Sequence, residues 1–192
     1  MLPTVLLSGV ALIRYNIMNK KTNIVKLIMA GLFAALTCIF TMLPIGIPSL
    51  TQGYIHFGDC FVLLSGWYLW PVYGSFAACI GSSLTDILGG YLIYAPATLI
   101  IKGLVAFIAA VFLKISNKSK GIKFALRLSG GIVAELVMAL GYFIYSATVM
   151  GYGWAGSAVE IPNNLVQGGV GIIAATVIAQ IIDSTGVLKN LK

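Results

Sequence analysis

Four ionisable side chains interrupt otherwise apolar runs: Asp59, Asp86, Lys102 and Glu135. A charge in hydrocarbon is costly, so such groups normally face a protein interior or a water-filled cavity, and they mark a path or site for a polar ligand. Their neighbours extend the pattern. Tyr94, Thr98 and Lys102 recur at four-residue spacing, Glu135, Tyr142 and Ser146 share a helical face with Tyr145 close by, and Asn163, Asn164 and Gln167 cluster within a turn or so. Residues three or four apart stand on one face of a helix. The chemistry offered is hydrogen bonding and ring stacking around a small heterocycle. Bond-breaking chemistry has no comparable support, since there is one histidine, His56, no serine nucleophile constellation and no two-histidine metal motif. Three isolated cysteines, Cys38, Cys60 and Cys79, lack metal-ligand spacing and read as apolar filler. The chain is therefore expected to be no enzyme, with no catalytic or metal site and no cofactor of its own.

The elements that must position these groups follow from composition. Hydrophobic residues make up 59% of the chain and charged residues 9%, with a mean hydropathy of +1.01. Soluble domains carry about 25% charged residues. The sequence reads as an all-α polytopic membrane protein, because long unbroken apolar runs do not fit the alternating short segments of a β-barrel. The net charge of +7 does not point to nucleic acid, since the cations flank apolar runs, where topology and anionic lipid heads account for them.

Six spans are expected: 24–43, 59–70, 72–88, 95–113, 124–150 and 163–182, the second of them short for a membrane. Basic clusters precede span one (Arg14, Lys20, Lys21, Lys26), separate spans four and five (Lys114, Lys118, Lys120, Lys123, Arg127) and follow span six (Lys189, Lys192). Lys and Arg collect on the cytoplasmic side, and an even number of spans lies between successive clusters. Both termini are then cytoplasmic. Residues 1–23 form an N-terminal extension and lead-in, and 24–192 the six-helix domain. Met1 to Ile17 lack the basic start of a secretory signal, and Met18-Asn19-Lys20-Lys21 is the more natural beginning.

With this topology each polar stripe lies in the outer half of its helix. Asp86 and Lys102 come to similar depths and could pair, either as a structural ion pair or within a pocket. Glu135, near the midplane, has no cation in its own span to neutralise it and reads as a pocket group or a protonated acid. Tyr54 and His56 lie in the first outer loop, and Asp59 opens span two. Tyr91, Tyr94 and Trp154 could roof a pocket or belong to the interfacial aromatic belt. Asn163 and Asn164 could contact a ligand or cap span six. In span one, Ala30 with Ala34, and Gly31 with Ala35, sit four apart, a spacing that lets another helix approach closely.

The combined pattern resembles the substrate-binding S component of energy-coupling factor (ECF) vitamin transporters, in the branch with hydroxymethylpyrimidine- and pyridoxine-type members. The residues that carry the resemblance are Ala30-x-x-x-Ala34, Gly58-Asp59, and Asp86-Ile-Leu-Gly-Gly-Tyr91 leading through Tyr94-Ala-Pro-Ala-Thr98 to Lys102-Gly103. It implies a six-helix protein of the cell membrane that binds a micronutrient on the outside and docks onto a transmembrane coupling (T) subunit bearing two ABC ATPases. Ala30 and Ala34 would face that subunit, and the loop 44–57 would act as a lid.

The residues agree with an outside energy source. No G-x-x-x-x-G-K-[ST] phosphate loop is present, so ATP would be hydrolysed by the partner. No pair of broken helices in inverted repeats marks a secondary transporter. The expected ligand is a vitamin or precursor of the pyridoxine, hydroxymethylpyrimidine or queuine type. The alternative is a stand-alone proton- or ion-coupled carrier of a small heterocycle.

Overall fold

The computed structural model describes residues 23–45, 55–114 and 119–186. Its elements are α1 (Asn23–Met42), β1 (Pro44–Ile45), β2 (Ile55–His56), α2 (Gly58–Tyr68), α3 (Pro71–Leu88), α4 (Ala95–Lys114), α5 (Lys120–Thr148), α6 (Gly153–Ser157) and α7 (Glu160–Thr185). Among the described residues the fold is all-α apart from one antiparallel pair, Pro44 opposite His56 and Ile45 opposite Ile55. Four helical stretches, Asn23–Met42, Ala95–Lys114, Gly121–Thr148 and Gly153–Thr185, are long and apolar enough to cross a membrane. Arg14, Lys20, Lys21, Tyr54, Lys118, Lys189 and Lys192 lie outside the described residues, as does most of the expected lid.

The middle of the bundle is α2. Nine of its eleven residues are buried, as expected of a helix that is apolar all round. At about 1.5 Å per residue it is roughly 16 Å long, half a bilayer core. It packs against α3, α4 and α7, and Phe61 meets Phe40 of α1 with ring centroids 4.5 Å apart. Around it, large apolar side chains such as Leu27, Ile28, Phe76, Ile100 and Ile173 point outward from the bundle, a surface suited to lipid tails.

Helix backbones touch where side chains are missing. A Cβ on Gly81 would stand 2.4 Å from the Ala34 carbonyl oxygen, and one on Gly66 would stand 2.4 Å from that of Ala106. Gly66→Ala is therefore expected to cost about 1–3 kcal/mol, because a backbone carbonyl in a packed helix cannot swing aside. Gly31→Ala, with nothing within 4 Å of the new methyl, should instead gain up to about 1 kcal/mol from helix propensity. Thermal unfolding of the two variants in one detergent gives the comparison.

Both ends of the bundle carry recognisable chemistry. At the basic end, Trp70 joins α2 to α3, with Pro71 starting α3 in the position where its missing N–H costs nothing. The Lys26 and Lys114 ammonium groups lie 4.9 and 4.6 Å from the Trp70 ring centroid. Arg127, counted above with the basic loop, is instead buried inside α5. It donates to Asp183 Oδ2 at 2.7 Å and to the Tyr68 hydroxyl at 3.2 Å, tying α5 to α7 and α2. At the other end, the loop end, Gly90 takes a positive φ of 82° in the α3–α4 turn, a conformation that favours glycine.

Three expected boundaries move. The fifth helix starts at Lys120, four residues early. The last begins at Glu160 with Pro162 in its first turn, not at Asn163; proline is tolerated there because the first N–H groups have no partner inside the helix. Asn163 and Asn164 therefore sit inside the first turns of α7, and the capping position is Val159. The stretch around Trp154, expected as a loop, contains the short helix α6.

Candidate functional site

Four helices bring polar side chains to one place about two turns below the loop end. Asp59 enters from the first turn of α2, Lys102 from the third turn of α4, Glu135, Met138 and Tyr142 from one face of α5, and Gln167 from α7. All but Tyr142 are buried; Lys102 is 2% exposed and Glu135 4%. The α7 backbone reaches this depth because it carries glycine at the contacts. A Cβ on Gly171 would lie 2.8 Å from that of Asp59, and one on Gly168 would lie 2.8 Å from that of Glu135.

Lys102 donates to Asp59 Oδ1 in a buried ion pair. This corrects the expected pairing of Lys102 with Asp86. The reason is depth: α2 is short and starts well inside the bundle, so Asp59 lies level with Lys102 instead of at the membrane face. The second Asp59 oxygen accepts from Gln167 Nε2 at 2.7 Å. Lys102 also donates to the Met138 thioether at 2.8 Å, and its Nζ lies 5.7 Å from the Tyr142 ring centroid. The Tyr142 hydroxyl donates to Thr98 Oγ1 at 3.0 Å. Asp86 lies beside Thr98, nearer the loop end, with Oδ2 buried and unpartnered.

His56 closes this cluster from β2, before the first turn of α2. Its Nδ1 accepts from the Gly58 backbone N–H at 3.1 Å, which places the neutral ring's proton on Nε2. Burial pushes the imidazole down to about 4, the nearby Asp59 carboxylate opposing and Lys102 adding to the shift.

A second polar group gathers nearer the loop end. Ser146 donates to Glu160 Oε2 at 2.7 Å, the Tyr94 and Tyr145 ring centroids are 6.2 Å apart, and the Tyr145 hydroxyl donates to the Ile93 carbonyl. Asn163 and Asn164 follow Glu160 in the first turns of α7 and are half-buried, as is Tyr91 in the α3–α4 turn. Trp154 is 60% exposed, its ring centroid 5.6 Å from that of Phe143, and it does not join either cluster. Ala30 is buried in the core and Ala34 backs onto Gly81 of α3, so the side of α1 left uncovered carries Gly31 and Ala35 instead.

Sequence reasoning missed Met138, Glu160 and the two glycines of α7. A methionine inside an apolar helix gives no sign that its sulfur meets an ammonium group. Glu160 was detectable as an acid two residues before a proline that can sit in a first helical turn.

Chemically, the inner cluster holds one paired cation, Lys102 with Asp59, and a second acidic side chain, Glu135, beside the pair. Asp59 is satisfied by Lys102 and Gln167, whereas neither oxygen of Glu135 has a hydrogen-bond partner. Such a site can hold a small polar molecule by its edge. It offers no nucleophile with a base at hand, and among the described residues no group of three metal-ligating side chains occurs.

Comparison with known proteins agrees with this architecture. The family model described as ECF-type riboflavin transporter, S component, matches residues 21–184. A protein of Pyrococcus woesei, described only as an uncharacterized protein in a gap 3′ region, is 36% identical over 139 residues, covering 72% of this chain and 88% of its own. The thiamine precursor transporter HmpT of Lactococcus lactis subsp. cremoris (strain MG1363) is 30% identical over 182 residues, 92% of this chain and 98% of HmpT. A solved S component of a bacterial ECF transporter superposes with a TM-score of 0.66 at 18% identity, covering 84% of this chain and 97% of that one. An integral membrane bundle with a buried polar site and no enzymatic constellation, matched along most of its length, belongs to the S-component family of ECF transporters.

Proposed function

We propose that the protein is the substrate-binding subunit of an ECF-type ABC importer and captures a small heterocyclic vitamin or vitamin precursor from outside the cell. The observation that carries this reading is the convergence of Asp59, Lys102, Glu135 and Gln167 from four different helices at one buried point. Burying that many polar groups has a large desolvation cost, which a purely structural bundle has no reason to bear. All six spans cross the membrane in this reading, α2 and α3 as the second and third, with both termini cytoplasmic. The loop end then faces outward, and the basic end, with Lys26, Lys114 and Arg127, faces the cytoplasm. A coupling subunit and two ABC ATPases supply the energy, the ATP being hydrolysed there. The side of α1 carrying Leu27, Ile28, Gly31 and Ala35, all exposed, is the surface on that helix open to such a subunit.

The relative named as a thiamine precursor transporter supports a hydroxymethylpyrimidine-like ligand, with pyridoxine-like and queuine-like rings as the other members of the class. One buried lysine, already paired with Asp59 and next to a second acidic side chain, disfavours phosphate esters. Calorimetry on the protein in lipid nanodiscs tests the reading. Sub-micromolar binding of one of these free heterocycles is expected, with its phosphate ester at least about 100-fold weaker, equivalent to about 2.7 kcal/mol. Binding of the ester alone would overturn it. Glu135 without a partner also suits a proton-coupled carrier. Uptake by this chain alone in liposomes, driven by a proton gradient, would favour that second reading.

A further inference from the structure

The inner cluster leaves two hydrogen-bonding capacities unspent, and they are of opposite sign. Both Glu135 oxygens are buried with no hydrogen-bond partner. Unpaired buried polar atoms are rare in folded proteins and call for a missing partner. Lys102 carries three N–H donors. One goes to Asp59 and one to the thioether of Met138, a weak acceptor. Glu135, Met138 and Tyr142 stand at i, i+3 and i+7 on α5, one face of the helix. Since Met138 and Tyr142 both meet the Lys102 ammonium, Glu135 lies one turn from it along the same stripe. Lys102 and Asp59 are the charged groups within electrostatic range of Glu135. Met138 is unbranched and adaptable, a side chain that can yield its place to a better acceptor.

We propose that Glu135 and Lys102 act as an acceptor–donor pair that selects an uncharged amino-substituted azine, its exocyclic N–H donating to Glu135 and its adjacent ring nitrogen accepting from Lys102 in place of Met138. This rests on the binding-subunit reading above and narrows its ligand class. A ring nitrogen flanked by an amino group presents one acceptor and one donor side by side, which is the complement of what the cluster lacks. A carboxylate-bearing ring meets two acids instead, and a ring without the amino group leaves Glu135 unpaired.

The test compares two ligands on the wild-type protein in nanodiscs by calorimetry. One is 4-amino-5-hydroxymethyl-2-methylpyrimidine, and the other is the same ring without the amino group. The amino compound is expected to bind about 10-fold tighter, the upper end of the scale for one net hydrogen bond. In Glu135→Ala that preference should shrink to within about 3-fold, the residual expected once the acceptor is gone. Glu135→Leu, similar in volume and without a hydrogen-bonding group, replaces the alanine variant if that one does not fold, and its preference should fall likewise. Equal affinity of the two ligands for the wild type, or a preference undiminished in the variants, overturns the proposal. If neither pyrimidine binds but pyridoxine, queuine or riboflavin does, the ligand class is wrong and the binding-subunit reading stands. If no heterocycle of the set binds, both fail.

Discussion

Lys102→Met destabilises the folded protein by about 3–5 kcal/mol, the usual result of stripping one partner from a buried ion pair. The Asp59 and Lys102 side chains are 0% and 3% exposed. Removing the ammonium leaves the Asp59 carboxylate in the centre of the bundle without its cation, its second oxygen still held by the Gln167 amide. Methionine keeps the length of the lysine stem, so the loss reports charge and not a cavity. Restoring neutrality should restore most of the stability: Asp59→Asn combined with Lys102→Met is expected to unfold closer to the wild type than Lys102→Met alone. Reversible unfolding in detergent micelles reads both. A Lys102→Met protein as stable as the wild type would mean that the pair contributes nothing, and the site geometry would need to be redrawn.

Stability should also fall by about 3 kcal/mol as the pH drops from about 6.5 to about 4, through His56 alone. This ring sits in the connection before α2, outside the spanning helices, and burial lowers it from 6.5 to about 4. The unfolded chain takes up the proton first, so the stabilisation is complete above about 6.5 and is lost as the pH falls toward the folded value. Asp59 opposes the shift and Lys102 adds to it, but neither cancels the cost of desolvation. His56→Asn retains an acceptor for the Gly58 N–H and does not titrate, so its stability curve should be flatter than the wild type's across that interval. Parallel curves for the two proteins would remove His56 as the cause.

The four long helices were readable because apolar runs of about twenty residues have few alternatives. The site was readable in part. Lys102 and Glu135 stood out as charges inside those runs, and helical spacing put Tyr142 on the face of Glu135 and Thr98 on that of Lys102. The partner of Lys102 was not readable. Depth counted from nominal span ends placed Asp86 opposite it, whereas α2 begins inside the bundle and carries Asp59 to the ammonium instead. Arg127 misled for a related reason, since a cation near a helix start reads as loop charge until Asp183 and Tyr68, far along the chain, are seen beside it. The contact of Met138 with an ammonium group, and the glycines that admit Asp59 and Glu135, depend on three-dimensional proximity that no local pattern encodes.

Four glycines have a mechanical consequence. Gly81 presses α3 on α1, Gly74 presses α3 on α2, Gly66 presses α2 on α4, and Gly171 presses α7 on α2. Main chains in contact interlock like teeth, and one cannot slide past its neighbour without first separating from it. The five helices so engaged form a single stiff block, so any change of shape is expected to move that block as one body and not to glide one helix along another.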